Sequence, residues 1–261
     1  MTSRSTRPTG LGPGLPDDPA RATVDRLLAA PEQHGLASRE LRGSGVAVVR
    51  GFDRDSREFR TMIATAVREH GWWVTDLAAA PSFGAIPDSG DIRLVVAARA
   101  SVLPLARRCA AHWQATLLDP SGDGGDGGGH EPALVVDVAY AASDTEPEQP
   151  AGYRTTARDA VATRLAISGP VSYRIGAATA GTADTLAVEP VANGSLVETG
   201  TDGLGTNLRI ATGEVTVELD TATEATLDGH PQLLPDGQYT VSLHAHAYRR
   251  LEPEVPVIPA R

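Results

Sequence analysis

Gly45–Phe52 (GVAVVRGF) is a short apolar run closed by Gly51, and it reads as a buried strand. Asp55 and Glu58 follow at capping-box spacing. Phe59, Met62, Ile63, Ala66 and Val67 then recur every three or four residues, which is the apolar face of an amphipathic helix. Gly71 lies just past that face, where a helix C-cap glycine belongs. Trp72-Trp73-Val74 opens a second strand, and Ile92–Ala98 (IRLVVAA) is a third. Ser101 is placed to cap a second helix, with Pro104 tolerated in its first turn. The apolar face of that helix is Val102, Leu105, Ala106, Cys109, Ala110, Trp113 and Leu117. Ala133–Tyr140 (ALVVDVAY) is a fourth strand. The order β-α-β-β-α-β predicts a ferredoxin-like unit, two helices on one face of a four-stranded antiparallel sheet.

Outward from this core, residues 20–30 (ARATVDRLLAA) predict a short helix ending at Pro31, and 1–19 predict a disordered tail. Beyond Ala141 the texture changes. Ser143–Pro150 (SDTEPEQP) reads as a linker, and the runs after Thr163 are short and rich in Val, Thr and Ile. Arg164–Ile167, Val171–Ile175, Thr185–Val188, Asn207–Ala211, Val215–Leu219 and Tyr239–Ala245 predict strands of an antiparallel, sandwich-like half. Leu165–Ile175 and Leu208–Leu219 each read as strand, tight Gly turn and return strand. The expected fold class is therefore α+β. A ferredoxin-like unit over 20–142 precedes a β-rich unit over 151–250, and residues 251–261 form a Pro-rich tail.

Composition narrows the function classes. The chain has 261 residues, a formal net charge of −10, 27 Gly and 19 Pro. All its basic residues are Arg, so a P-loop GxxxxGK[ST] is impossible. A single cysteine, Cys109, excludes an internal disulfide framework. No apolar run approaches the ~18–20 residues of a membrane span. No apolar stretch follows Arg4 and Arg7 as a secretory signal requires, so a cytoplasmic location is expected. Residues 1–118 carry 15 Arg against 12 acids, whereas 119–261 carry 8 Arg against 21 acids. An acidic half repels phosphate backbones, so nucleic acid is not expected, but it could attract a basic protein partner.

The sharpest candidate for chemistry is Leu243-His244-Ala245-His246. On a regular strand His244 and His246 point to one face and could chelate a divalent metal. A third ligand would have to come from His230, His130, Asp137 or Glu131. Cys109 with His112 has the i, i+3 spacing of helix neighbours, but Cys109 falls on the apolar stripe, where a thiol is a small hydrophobe. Asp119, Asp123 and Asp126, around the Gly-rich Gly122–Gly129, lack the position-12 carboxylate of an EF-hand. Trp72-Trp73 and the fragment Arg50-Gly51-Phe52 do not complete an RNA-recognition motif.

Two stretches carry family resemblances. Gly45–Asp53 with Phe59 resembles the opening strand and helix of taurine-dioxygenase-like iron/2-oxoglutarate oxygenases. No His here is followed two residues later by Asp or Glu, so that family's iron site is missing. Leu233-Leu-Pro-Asp-Gly-Gln-Tyr-Thr-Val-Ser-Leu-His-Ala-His246 resembles the closing hairpin of competence-protein-J-like nuclease inhibitors, with Val215–Leu219 as partner of the last strand. That resemblance implies a non-enzymatic, inhibitor- or immunity-like bacterial module that binds another protein through an acidic β-rich surface, without a cofactor. The alternative is a metal-dependent enzyme with His244 and His246 as ligands and His230 as the third. A second alternative is a structural or assembly subunit whose tails order against neighbours.

Overall fold

The computed structural model describes residues 19–36, 44–79, 86–87, 90–119, 129–141, 158–177, 179–201 and 205–251. The tails, the 143–150 linker, the stretch around Leu36–Leu41 beyond Leu36 and most of the Gly/Asp loop lie outside them.

Helix α1 (Pro19–Ala29) leads to strand β1 (Gly45–Arg50). Helix α2 (Arg54–Glu69) and strand β2 (Trp73–Ala78) follow, then strand β3 (Ile92–Ala97), helix α3 (Leu103–Trp113) and strand β4 (Thr116–Leu118). The pairing overturns the ferredoxin-like expectation. β1 pairs in parallel with both β2 and β3, and β3 pairs in parallel with β4. The order β2-β1-β3-β4 belongs to a doubly wound sheet with helices on both faces.

Burial shows why. Val46 and Val48 of β1, with Leu94 and Val96 of β3, pack under α1 and α2. Ala47 and Val49, with Val95 and Ala97, pack under α3. Both faces of these strands are covered, so they read as unbroken apolar runs, the mark of a parallel sheet. An antiparallel sheet with helices on one face would alternate.

Local signals held better than topology. α2 is capped two residues before the expected box, by Asp53, whose carboxylate accepts from the Ser56 amide at 2.8 Å. Gly71 has φ +75°, as the helix end requires. Ser101 lies inside a 3₁₀ turn (Ala100–Val102) rather than acting as a cap. α3 ends at Gln114 in a left-handed conformation (φ 52°), and Leu117, assigned above to the helix face, belongs to β4.

The remaining chain is β-structure: β5 (His130–Ala141), β6 (Arg158–Val161), β7 (Leu165–Ile175), β8 (Thr179–Val191), β9 (Gly194–Thr201), β10 (Gly205–Ala211), β11 (Val215–Leu219), β12 (Thr223–Leu227), β13 (His230–Leu234) and β14 (Gly237–Leu251). The 14 strands among the described residues join one mixed sheet. Leu165–Ile175 is one strand with a bulge between Ser168 and Val171, not a hairpin. β10 and β11 do not pair either: β10 pairs with β9, and β11 lies between β7 and β14. Val215–Leu219 is, as expected, an antiparallel partner of the last strand. β14 joins the two parts. It pairs along β5 and β11, then runs parallel to β4 through Arg249–Leu251.

Candidate functional site

In an open parallel sheet, ligands bind outside the carboxyl ends of the strands where the winding reverses. Here that point lies between β1 and β3. β1 ends in Arg50-Gly51-Phe52-Asp53, β2 contributes Asp76, and β3 ends in Ala98-Arg99.

The crevice is built of paired charges. Arg50 grips Asp76 in two parallel bonds, Nε to Oδ1 at 2.8 Å and Nη2 to Oδ2 at 2.9 Å. This fork raises the Arg50 pKa and holds the carboxyl ends of β1 and β2 together. A Cβ at Gly51 would stand 2.8 Å from Asp53 Oδ2, so a larger residue there would displace the Asp53 carboxylate. Asp53 accepts from the Ser56 amide and hydroxyl and pairs with Arg99 at 2.8 Å. The Ser56 bonds, before the Arg99 charge, hold its pKa below the usual carboxylate value. One amide of the α2 N-terminus, that of Ser56, is thus occupied by the chain's own carboxylate. Arg99 also reaches Asp55 at 2.8 Å, and Arg54 pairs with Glu58 at 2.7 Å.

Beside these residues, along α2, opens a cavity of about 1030 Å³. Phe59, Met62 and Ala98 give it apolar wall, and Arg21, Arg54 and Arg99 line its polar side. Arg57 also lines it, with its guanidinium donating to the Phe52 carbonyl at 2.8 Å. The ion pairs of Arg99 with Asp55 and of Arg54 with Glu58 are solvent-exposed, so exchanging those carboxylates for a ligand anion costs little.

The sequence-selected histidines lie elsewhere. Two extra residues of β14 bulge out between His244 and Tyr248, which breaks the alternation that would place His244 and His246 on one face. His244 is half-buried and His246 exposed, its ring 5.4 Å from His130 in an edge-on contact. His230, on β13, is half-buried. Burial first, and then the Arg108 charge, lower its pKa, and that same positive charge opposes a cation there. Among the described residues no three His, Cys, Asp or Glu side chains are grouped to hold a metal. Cys109 is wholly buried. Asp119, also buried, pairs with Arg250 at 2.8 Å. Asp123 and Asp126 lie outside the described residues.

Sequence reasoning missed the arginines because four separate segments supply them. The available signal was position: Arg99 directly follows an apolar strand, and Arg54 opens the helix after another.

No family model and no curated protein matches the chain. Among solved structures it is weakly similar to an alginate lyase from Pseudomonas aeruginosa, at 12% identity and a TM-score of 0.12. The likeness spans 49% of this chain and 59% of the lyase, and at that score it carries no argument. The class defined by fold and crevice is a doubly wound α/β unit continuous with a β-rich half. No helix among the described residues is long and apolar enough to cross a membrane.

Proposed function

We propose that the chain binds a phosphorylated small molecule at the carboxyl edge of its parallel sheet. One observation carries this reading: the cavity beside the winding reversal combines an apolar wall, Phe59 and Met62, with Arg54 and Arg99. Phosphate oxygens would take the place of Asp55 and Glu58 on these guanidiniums, whose planar forks suit them. The organic part would lie on Phe59 and Met62. Asp53 stays on the Ser56 amide and hydroxyl, and the anion is held by the Arg54 and Arg99 side chains.

The test is calorimetric titration of the full chain with a nucleoside triphosphate and, separately, inorganic pyrophosphate. Arg99→Ala should weaken binding roughly 10- to 100-fold, the equivalent of one lost charge-assisted bond of about 1.5–3 kcal/mol. Absence of heat with both probes, or binding that is indifferent to Arg99→Ala and Arg54→Ala, refutes the reading.

A second reading, non-enzymatic binding of a basic protein by the β-rich half, is favoured by a different observation. Glu214, Glu218, Asp220 and Glu224 are exposed around β11 and β12 and have no ion-pair partner among the described residues. Such a complex would weaken steeply with salt. A partner whose binding is insensitive to both salt and Glu218→Gln/Glu224→Gln counts against it.

A further inference from the structure

Among the described residues β10 is an open edge of the β-rich half, and six of its seven residues are exposed. It carries Leu208 at 64% and Ile210 at 66% exposure, two of the three exposed large apolar side chains among the described residues. Open edges are normally blunted by proline, charge or shortness. The other edges of the described sheet are blunted: β13 carries Pro231, β6 is four residues long, and β2 holds Asp76 in its ion pair with Arg50. β10 has no acid, and its single charge, Arg209, reaches back across the sheet to the Thr179 hydroxyl at 3.1 Å.

We infer that β10 pairs antiparallel with β10 of a second copy of this chain, extending the sheet through a two-fold axis at Leu208. Three arguments select the second copy and this register. First, in a chain of net charge −10, a segment without acids is where two copies repel least. Second, a two-fold axis normal to the sheet must pass through a residue, because paired residues share a face. An axis at Arg209 would set two guanidiniums directly opposite, which destabilises. An axis at Leu208 sets Leu208 against itself, Asn207 against the partner's Arg209, and Thr206 against the partner's Ile210. Third, that register gathers both copies of Leu208 and Ile210 into one continuous apolar strip, with the polar pairs on the opposite face.

The test uses the full chain. Light scattering behind size exclusion should report twice 27.2 kDa. Leu208→Glu/Ile210→Glu should return the single-chain mass with unchanged circular dichroism, since both side chains are mostly exposed and belong to no buried cluster of the folded chain. Register is read by cross-linking: Leu208→Cys should form a covalent dimer under mild oxidation, because cross-strand Cβ separations of about 4.5–5.5 Å approach disulfide range. Ile210→Cys, facing a threonine, should not, and Cys109 is buried and gives no background. A wild-type monomer at every soluble concentration overturns the inference. So does a dimer that survives the double substitution, or Ile210→Cys cross-linking as readily as Leu208→Cys.

Discussion

Replacing Asp228 tests how the β12–β13 hairpin is fastened to the rest of the sheet. Asp228 and Gly229 form a two-residue turn with φ +54° and +80°, the type I′ geometry that favours Asp-Gly. The Asp228 carboxylate is buried and accepts from the amides of Ala162, Thr163 and Arg164 at 2.9, 2.7 and 3.1 Å and from the Thr163 hydroxyl at 2.7 Å. Thr163 and Arg164 are exposed, so water replaces much of what they lose. The Ala162 amide is buried and would be left without an acceptor, a cost of about 1–3 kcal/mol on top of the lost charged bond. Alanine in the left-handed region adds about 1–2 kcal/mol. Asp228→Ala should therefore cost about 4 kcal/mol, read as a lower urea midpoint at unchanged slope. For a chain of this size that is roughly 8–16 °C in Tm. Asp228→Gly should do less harm, because it removes the backbone strain but not the lost bonds. Asp228→Asn should do least, since asparagine tolerates this conformation and keeps one oxygen. An Asp228→Ala protein within 1 kcal/mol of wild type, or an asparagine variant as damaged as the alanine one, refutes the reasoning.

Three further outcomes follow from the packing and the titrating groups. Gly45→Ala places a Cβ 2.3 Å from Cζ2 of Trp73, so a shift of the indole should change tryptophan fluorescence and cost about 1–3 kcal/mol by urea unfolding. Burial raises the pKa of Tyr239 and of Tyr248 to about 12, so two of the five tyrosines should ionise late in an ultraviolet titration. The folded chain then holds protons that the unfolded one releases from its ordinary value of 10.0, and stability should fall as pH rises from 10 towards 12. For His230 the sign is opposite: its depressed pKa means that the unfolded chain binds the proton more readily below pH 6.5. Acidification through that region should thus destabilise the wild type more than His230→Gln, as compared by unfolding midpoints across a pH series.

The sequence carried the elements more reliably than their pairing. Helix α2 and strands β1 and β3 were legible because periodicity and apolar runs act locally, and β11 matched residue for residue. Topology failed on two points. The runs Val46–Val49 and Leu94–Ala97 are apolar at every position, which demands cover on both faces, yet they were matched to a one-sided sheet. β4, only three residues long, was absorbed into the preceding helix because Gln114, rather than a glycine, makes the left-handed stop. Without β4, Ala133–Tyr140 took its place in the order, although β5 pairs with β14 and β6. The histidine pair rests on strand alternation, which holds only where the ladder is regular, and His244 and His246 sit at a bulge. The arginine-lined crevice has no local motif, since only the winding of β1, β2 and β3 brings Arg54 and Arg99 to one edge.

That winding also explains why the charge contrast between the two halves does not mark a break in the core. β4 would be a bare three-residue edge if the parallel sheet ended there. Instead Arg249–Leu251 of β14 close it in parallel, the Asp119 amide donates to the Leu251 carbonyl at 2.9 Å, and Arg250 reaches the buried Asp119 carboxylate. The apolar cluster under α3 follows the same route, since it includes Ala133 of β5, Ala160 of β6 and Ala247 and Tyr248 of β14 beside Leu105 and Cys109. The bulge at Ala245–Ala247 interrupts the antiparallel ladder with β5, which resumes at Tyr248 and Arg249, and it falls where the partner on the other edge of β14 changes from β11 to β4. The His244-Ala-His246 stretch thus occupies the bulge, with His244 half-buried and His246 exposed. Glu214, Glu218, Asp220 and Glu224 lie exposed around β11 and β12, while Arg54 and Arg99 lie at the carboxyl edge of the parallel sheet. One continuous framework therefore presents an arginine-lined crevice of paired charges and an acidic face at separate places.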